Sequence, residues 1–128
     1  TEAASSPVEV ERWLIAYVEA ACGPPAAQAR DQPLLAGNSI HMDRAVLERC
    51  MPLLAGRLHY RLVDVSGLKE LRRRWYPEVP EFDKEAMARD WLPDLSLDGV
   101  EHDALYDVKC SLAELRYYRS RLFVEGPG

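Results

Sequence analysis

His102 and Asp107 are the residues whose types and spacing most directly suggest chemistry. A histidine and a carboxylate that converge at a helix entrance can supply a general base and a metal ligand. On one continuous helix, at about 100° per residue, the two side chains stand roughly 140° apart. They converge only if His102 lies in the loop ahead of the first turn, and Gly99 breaks the chain just upstream. The alternative is a polar helix start followed by an exposed first-turn acid that the helix dipole stabilises. A motif this short leaves both readings open.

The element that must carry this pair is a helix beginning near residue 102. Leu105, Val108, Leu112 and Leu115 recur at three- and four-residue steps, with Leu122 continuing the stripe. An earlier helix is signalled by Ser6 as N-cap, Pro7 at the first helical position and Glu9 completing a capping box. Its expected apolar face is Val10, Trp13, Leu14, Tyr17, Val18 and Ala21, and Gly23-Pro24-Pro25 stops it. Residues 34–37 form a short apolar run expected to be a buried strand, followed by a helix over 42–51 that Pro52 closes. A shorter helical piece is expected over 53–58. Residues 60–65 have the β-branched, alternating character of a second strand, and Ser66 can cap a helix that turns Leu68, Leu71 and Trp75 inward. The stretch 77–101 is acidic and irregular, with helical character over 86–91. Strands alternating with helices imply an α/β arrangement with parallel pairing. Two strands leave at least one sheet edge with unpaired backbone groups.

The bulk properties set limits. A chain of 128 residues fits one domain, 1–128, and 48% hydrophobic with 29% charged residues is ordinary for a globular protein. No apolar run approaches the roughly 20 residues that cross a membrane. The small, polar start does not read as a signal peptide, and Thr1 leaves room for upstream sequence. Three scattered cysteines, Cys22, Cys50 and Cys110, argue against a zinc site or a disulfide framework. They fit an intracellular, reducing compartment. A net charge of −5 argues against bulk, non-specific nucleic-acid binding but allows a local basic patch.

Three ordered segments carry a family resemblance. They are Ala36-Gly37-Asn38-Ser39-Ile40-His41-Met42-Asp43, then His59-Tyr60-Arg61 with Asp64-Val65-Ser66 and Lys69-Glu70-Leu71, and then His102 and Asp107 with Ser111, Glu114 and Tyr117-Tyr118-Arg119. Together, over about residues 7–123, they resemble oligoribonuclease, a DEDD-type 3′–5′ exonuclease of the ribonuclease-H-like fold. The Trp75-Tyr76-Pro77 ending looks like eukaryotic members. The resemblance implies that Asp43 and Asp107 are metal-binding carboxylates for Mg or Mn and that His102 is the general base. It further implies that Ser39, Arg61 and Ser66 cap the terminal phosphate of a very short RNA. Tyr60 would be contributed across a homodimer to stack on a base. Two divalent ions clamping phosphoryl oxygens need several carboxylates, and the planar guanidinium fork suits a phosphate.

The departure from the pattern is equally specific. The family opens on an apolar strand carrying D-x-E, followed by two more strands, and nothing before Ser6 supplies them. Asp83-Lys84-Glu85 leads into a helix and reads as surface charge, and Glu9-Val10-Glu11 falls within the first helix. The expected fold is therefore a partial ribonuclease-H-like α/β fold, the C-terminal portion, with two parallel strands and four to five helices. Two functions fit it. One is part of an exoribonuclease that degrades short oligoribonucleotides, in the cytoplasm or mitochondria. The other is an inactive exonuclease-like domain serving as a structural subunit of a larger assembly. In either case strands from a partner polypeptide should cover the open edge.

Overall fold

The computed structural model describes residues 6–94, 97 and 103–124. They fall into two compact units, Thr1–Val63 and Asp64–Gly128.

The first unit opens with α1 (Pro7–Cys22), where the Ser6 hydroxyl accepts the Glu9 N–H at 3.2 Å and Pro7 takes a first-turn position. Gly23, at φ 91°, ends the helix. A turn of 3₁₀ helix, Ala29–Asp31, leads to β1 (Leu35–Gly37), α2 (Ile40–Cys50) and the single-turn helix α3 (Pro52–Ala55). Gly37 has φ 158°, and a Cβ there would stand 3.0 Å from Cδ1 of Ile40, the buried residue that opens α2. The strand can turn into the helix this tightly only without a side chain. β2 (Leu62–Asp64) pairs with β1 in parallel, and the chain passes into the second unit within it. The buried apolar residues of this unit are Ile40, Leu54, Ala55 and Leu58.

One polar contact ties α1 to α3. Glu11 is only 7% exposed, and its Oε2 accepts the N–H groups of Leu53 at 2.8 Å and Leu54 at 3.0 Å. A helix start leaves its first N–H groups without intrahelical partners, so a carboxylate from α1 caps α3. This corrects the expected face of α1. Trp13 is 63% exposed and Tyr17 is also exposed, while Glu11, Ile15 and Val18, at four- and three-residue steps, turn inward.

The second unit contains α4 (Val65–Trp75), α5 (Lys84–Trp91) and α6 (Ala104–Leu122). Its core consists of Val65, Phe82, Ala88, Leu92, Leu97, Cys110, Ala113, Tyr117 and Tyr118. The inward face of α6 is thus Cys110, Ala113 and Tyr117, extended by Tyr118. Leu105 and Val108 of the expected stripe are exposed, and Leu112, Leu115 and Leu122 only flank the core. Trp75, expected inside, is 66% exposed at the last turn of α4. The acidic stretch after α4 is held down: Phe82 packs on Tyr117 with ring centroids 5.5 Å apart, and the Tyr117 hydroxyl donates to the Pro80 carbonyl. The buried Arg72 guanidinium donates to the Val79 carbonyl. Asp83 caps α5 by accepting the Glu85 and Ala86 N–H groups, so the D-x-E at this point is a helix cap.

Among the described residues, the two parallel strands and six α-helices are consistent with a ribonuclease-H-like exonuclease fold. Among the described residues, no helix is long and apolar enough to cross a membrane.

Candidate nucleotide and metal site

In the first unit, the backbone that leads into α2 is unusual. Ser39 adopts the left-handed conformation, φ 53° and ψ 41°, and is the described non-glycine residue with positive φ. Such a conformation costs roughly 1–3 kcal/mol and is common at ligand-binding turns. It presents the residue expected to cap a phosphate at the N-terminal end of α2, where backbone N–H groups and the helix dipole favour an anion. Asp43 sits one turn further on, in the first turn of α2, and is exposed.

The His59-Tyr60-Arg61 segment lies ahead of β2. The Tyr60 ring is 68% exposed, and the Arg61 guanidinium carbon lies 5.2 Å from its centroid. Arg61 is exposed as well. An exposed aromatic side chain can stack on a base, and an exposed guanidinium can fork around a phosphate.

In the second unit, Ser66 does not cap α4. Asp64 does, accepting the Ser66 N–H at 3.0 Å and the Ser66 hydroxyl at 2.5 Å. Ser66 therefore stands within the first turn of α4, with its hydroxyl oriented by Asp64. Asp107 is exposed in the first turn of α6, whose N-cap is Asp103. Asp103 accepts the N–H groups of Leu105 and Tyr106 at 3.0 and 3.2 Å. α6 begins at Ala104, after His102, as convergence of His102 with Asp107 requires, but His102 itself lies outside the described residues.

Asp43 and Asp107 offer hard carboxylate oxygens of the kind Mg²⁺ and Mn²⁺ prefer. Each supplies only part of a coordination sphere. Among the described residues no group of three His, Cys, Asp or Glu side chains is placed to hold a metal ion. Each carboxylate fits the metal in type, and further ligands beyond the described residues would be needed around either one. On α6, a hydrogen bond with the Cys110 thiol one turn away pushes the Tyr106 phenol above its ordinary range. Glu11 and His59 are buried polar residues of the first unit to which the sequence pattern assigns no role.

Residues 26–115 match the Exonuclease family model, a span that includes part of each unit. The chain belongs to that exonuclease family. Within it, the chain is similar to bacterial oligoribonucleases. It is 48% identical over 94 residues to the oligoribonuclease of Nocardia farcinica, covering 73% of this chain and 38% of that protein. Identity is 43% over 127 residues with that of Corynebacterium glutamicum, covering 99% and 50%. It is 42% over 120 residues with that of Rhodococcus jostii, covering 94% and 52%. The chain spans about half the length of the latter two proteins.

Proposed function

We propose that this chain is the part of a 3′–5′ exoribonuclease for short oligoribonucleotides that carries the nucleotide-end recognition residues and some of the metal carboxylates. The observation that carries the reading is the exposed Tyr60 ring with the Arg61 guanidinium over it, inside the family-matched span. Tyr60, contributed across a homodimer, stacks on a base, and Arg61, with Ser39 and Ser66, meets the terminal phosphate. Asp43 and Asp107 serve as ligands for Mg²⁺ or Mn²⁺, and His102 as the general base. When bound, the ions supply charge for the phosphoryl oxygens in a two-metal hydrolysis. The remaining ligands belong to the half of the relatives' length that this chain does not cover, so the chain by itself is inactive. On this reading both units are parts of one exonuclease domain, the C-terminal part of the enzyme.

Partner strands cover the open edge of the two-stranded sheet, in a homodimer or a larger assembly. The exposed Trp13 and Tyr17 on α1 fit burial against another polypeptide, and they equally favour the second reading, an inactive exonuclease-like structural subunit. The bacterial relatives speak for a cytoplasmic setting over a mitochondrial one.

Titrating the chain with a 5′-phosphorylated ribodinucleotide and with its unphosphorylated counterpart tests the recognition reading. The phosphorylated form should bind more tightly, and Arg61→Ala should erase the difference. Tyr60→Ala should weaken both forms, since one stacked base is worth about 1–3 kcal/mol. Equal affinity for the two forms, unchanged by Arg61→Ala, rules out the phosphate role.

A further inference from the structure

His59 is buried, 8% exposed, immediately beside two exposed residues. Four contacts fix it. Its backbone N–H donates to the Pro33 carbonyl at 2.9 Å, and its carbonyl accepts from the Arg44 guanidinium at 3.4 Å. Its Nδ1 accepts the Arg61 backbone N–H at 2.9 Å. Its ring stacks on Tyr60, with centroids 4.7 Å apart and planes 22° from parallel. Arg44 is itself held by Glu48 at 2.9 Å, so the far side of the His59 peptide is anchored to α2.

These contacts do more than fill a core. A side-chain acceptor for the N–H two residues on fixes the backbone between them, as an Asx turn does. Here that backbone carries Tyr60 and Arg61, the two side chains that the proposed function assigns to the nucleotide. An acceptor at Nδ1 needs a lone pair there, which puts the ring proton on Nε2. Without this scaffold an exposed Tyr and an exposed Arg would sample many rotamers, and binding would have to order them.

We infer that His59 is a positioning residue for nucleotide-end recognition: its imidazole holds the Arg61 backbone through Nδ1 and backs the Tyr60 ring. The inference rests on the proposed function for its ligand. His59 touches no substrate and acts through its two neighbours.

His59→Phe keeps a ring against Tyr60 and removes the acceptor. It should weaken binding of a 5′-phosphorylated ribodinucleotide roughly fivefold to tenfold, the size of one part-buried hydrogen bond. His59→Asn, whose Oδ1 can take the same N–H, should recover slow exchange of the Arg61 amide that His59→Phe loses. The decisive readout is coupling. In an Arg61→Ala background, His59→Phe should change affinity by less than about twofold, because no guanidinium remains to be placed. The denaturation midpoint should fall equally in both backgrounds, which separates folding from positioning.

Equal loss of affinity from His59→Phe with and without Arg61 makes the role merely structural and overturns the inference. So does unchanged affinity. Failure of the unsubstituted chain to bind the dinucleotide, or indifference to both Tyr60→Ala and Arg61→Ala, overturns the recognition reading itself and the inference with it.

Discussion

Replacing Glu11 by alanine should destabilise the first unit far more than a surface substitution in a helix ordinarily does. Both bonds that Glu11 makes converge on one oxygen, Oε2, from the Leu53 and Leu54 N–H groups. Pro52 stands at the first position of α3 and has no N–H, so these two are the first donors of that helix. The Leu54 bond is buried and the Leu53 bond partly so. A buried donor left unpaired costs about 1–3 kcal/mol, and a partly wet one less. Glu11→Ala should therefore cost about 2–4 kcal/mol, more than the roughly 0.5–2 kcal/mol of an ordinary lost cap. Glu11→Gln offers one neutral oxygen at the same place and should cost about 1 kcal/mol, the loss of charge assistance. Urea denaturation gives the two values, and amide exchange at Leu53 and Leu54 locates them. A Glu11→Ala variant within about 0.5 kcal/mol of the unsubstituted chain, the range of neutral surface changes, would refute the capping role.

Three further outcomes follow from the second unit. Burial, and then the hydrogen bond to Glu114, push the Tyr118 phenol well above the usual range. The folded state thus binds this proton more tightly than the unfolded one. The stability it adds is complete below about pH 10 and is lost as pH rises beyond it. Tyr118→Phe should flatten the alkaline fall in stability, and an unchanged profile would assign that fall to other groups. On α6, Ala113→Leu should cost about 1–3 kcal/mol by overpacking a fully buried position, whereas Val108→Ser should be nearly neutral. The reverse order in a melting experiment would mean that the leucine stripe faces inward after all. Arg116 bonds both carboxylate oxygens of Asp94, at 2.7 and 3.3 Å, and the Trp91 carbonyl at 3.1 Å. Because that ion pair is largely exposed, Arg116→Ala should lower the denaturation midpoint only slightly, and the difference should shrink as salt is raised.

Element identities were legible because local chemistry states them. Ser6, Pro7 and Glu9 mark the start of α1, and the apolar and β-branched runs mark both strands. The inward faces were harder to read. Counting apolar residues rotates α1 toward Trp13 and Tyr17, because its true inner face carries a carboxylate, Glu11, whose partners lie 42 and 43 residues away. The same counting favours leucine and valine on α6, whereas the packed face uses a thiol, an alanine and two tyrosines. Tyr117 serves there because its hydroxyl reaches the Pro80 carbonyl, a partner that periodicity cannot show. At the candidate site, the H-Y-R run was legible as a motif. The division of labour within it was not, since it depends on which ring is buried and which is exposed. Ser66 was read as a cap because it precedes an apolar stripe, but Asp64, two residues earlier, holds the better acceptor for the first turn.

The proposed function makes this chain the carrier of working parts of an exoribonuclease. The most direct measurement mixes it with the portion of the Corynebacterium glutamicum oligoribonuclease that it does not cover and follows ribodinucleotide hydrolysis with Mg²⁺ or Mn²⁺. Neither piece alone should cleave, the mixture should cleave only with metal, and Asp43→Asn or Asp107→Asn in this chain should abolish that cleavage. A mixture that assembles and still cleaves with both aspartates replaced would contradict the assignment of these carboxylates to the metal site. An assembled mixture that never cleaves would leave the chain a structural subunit.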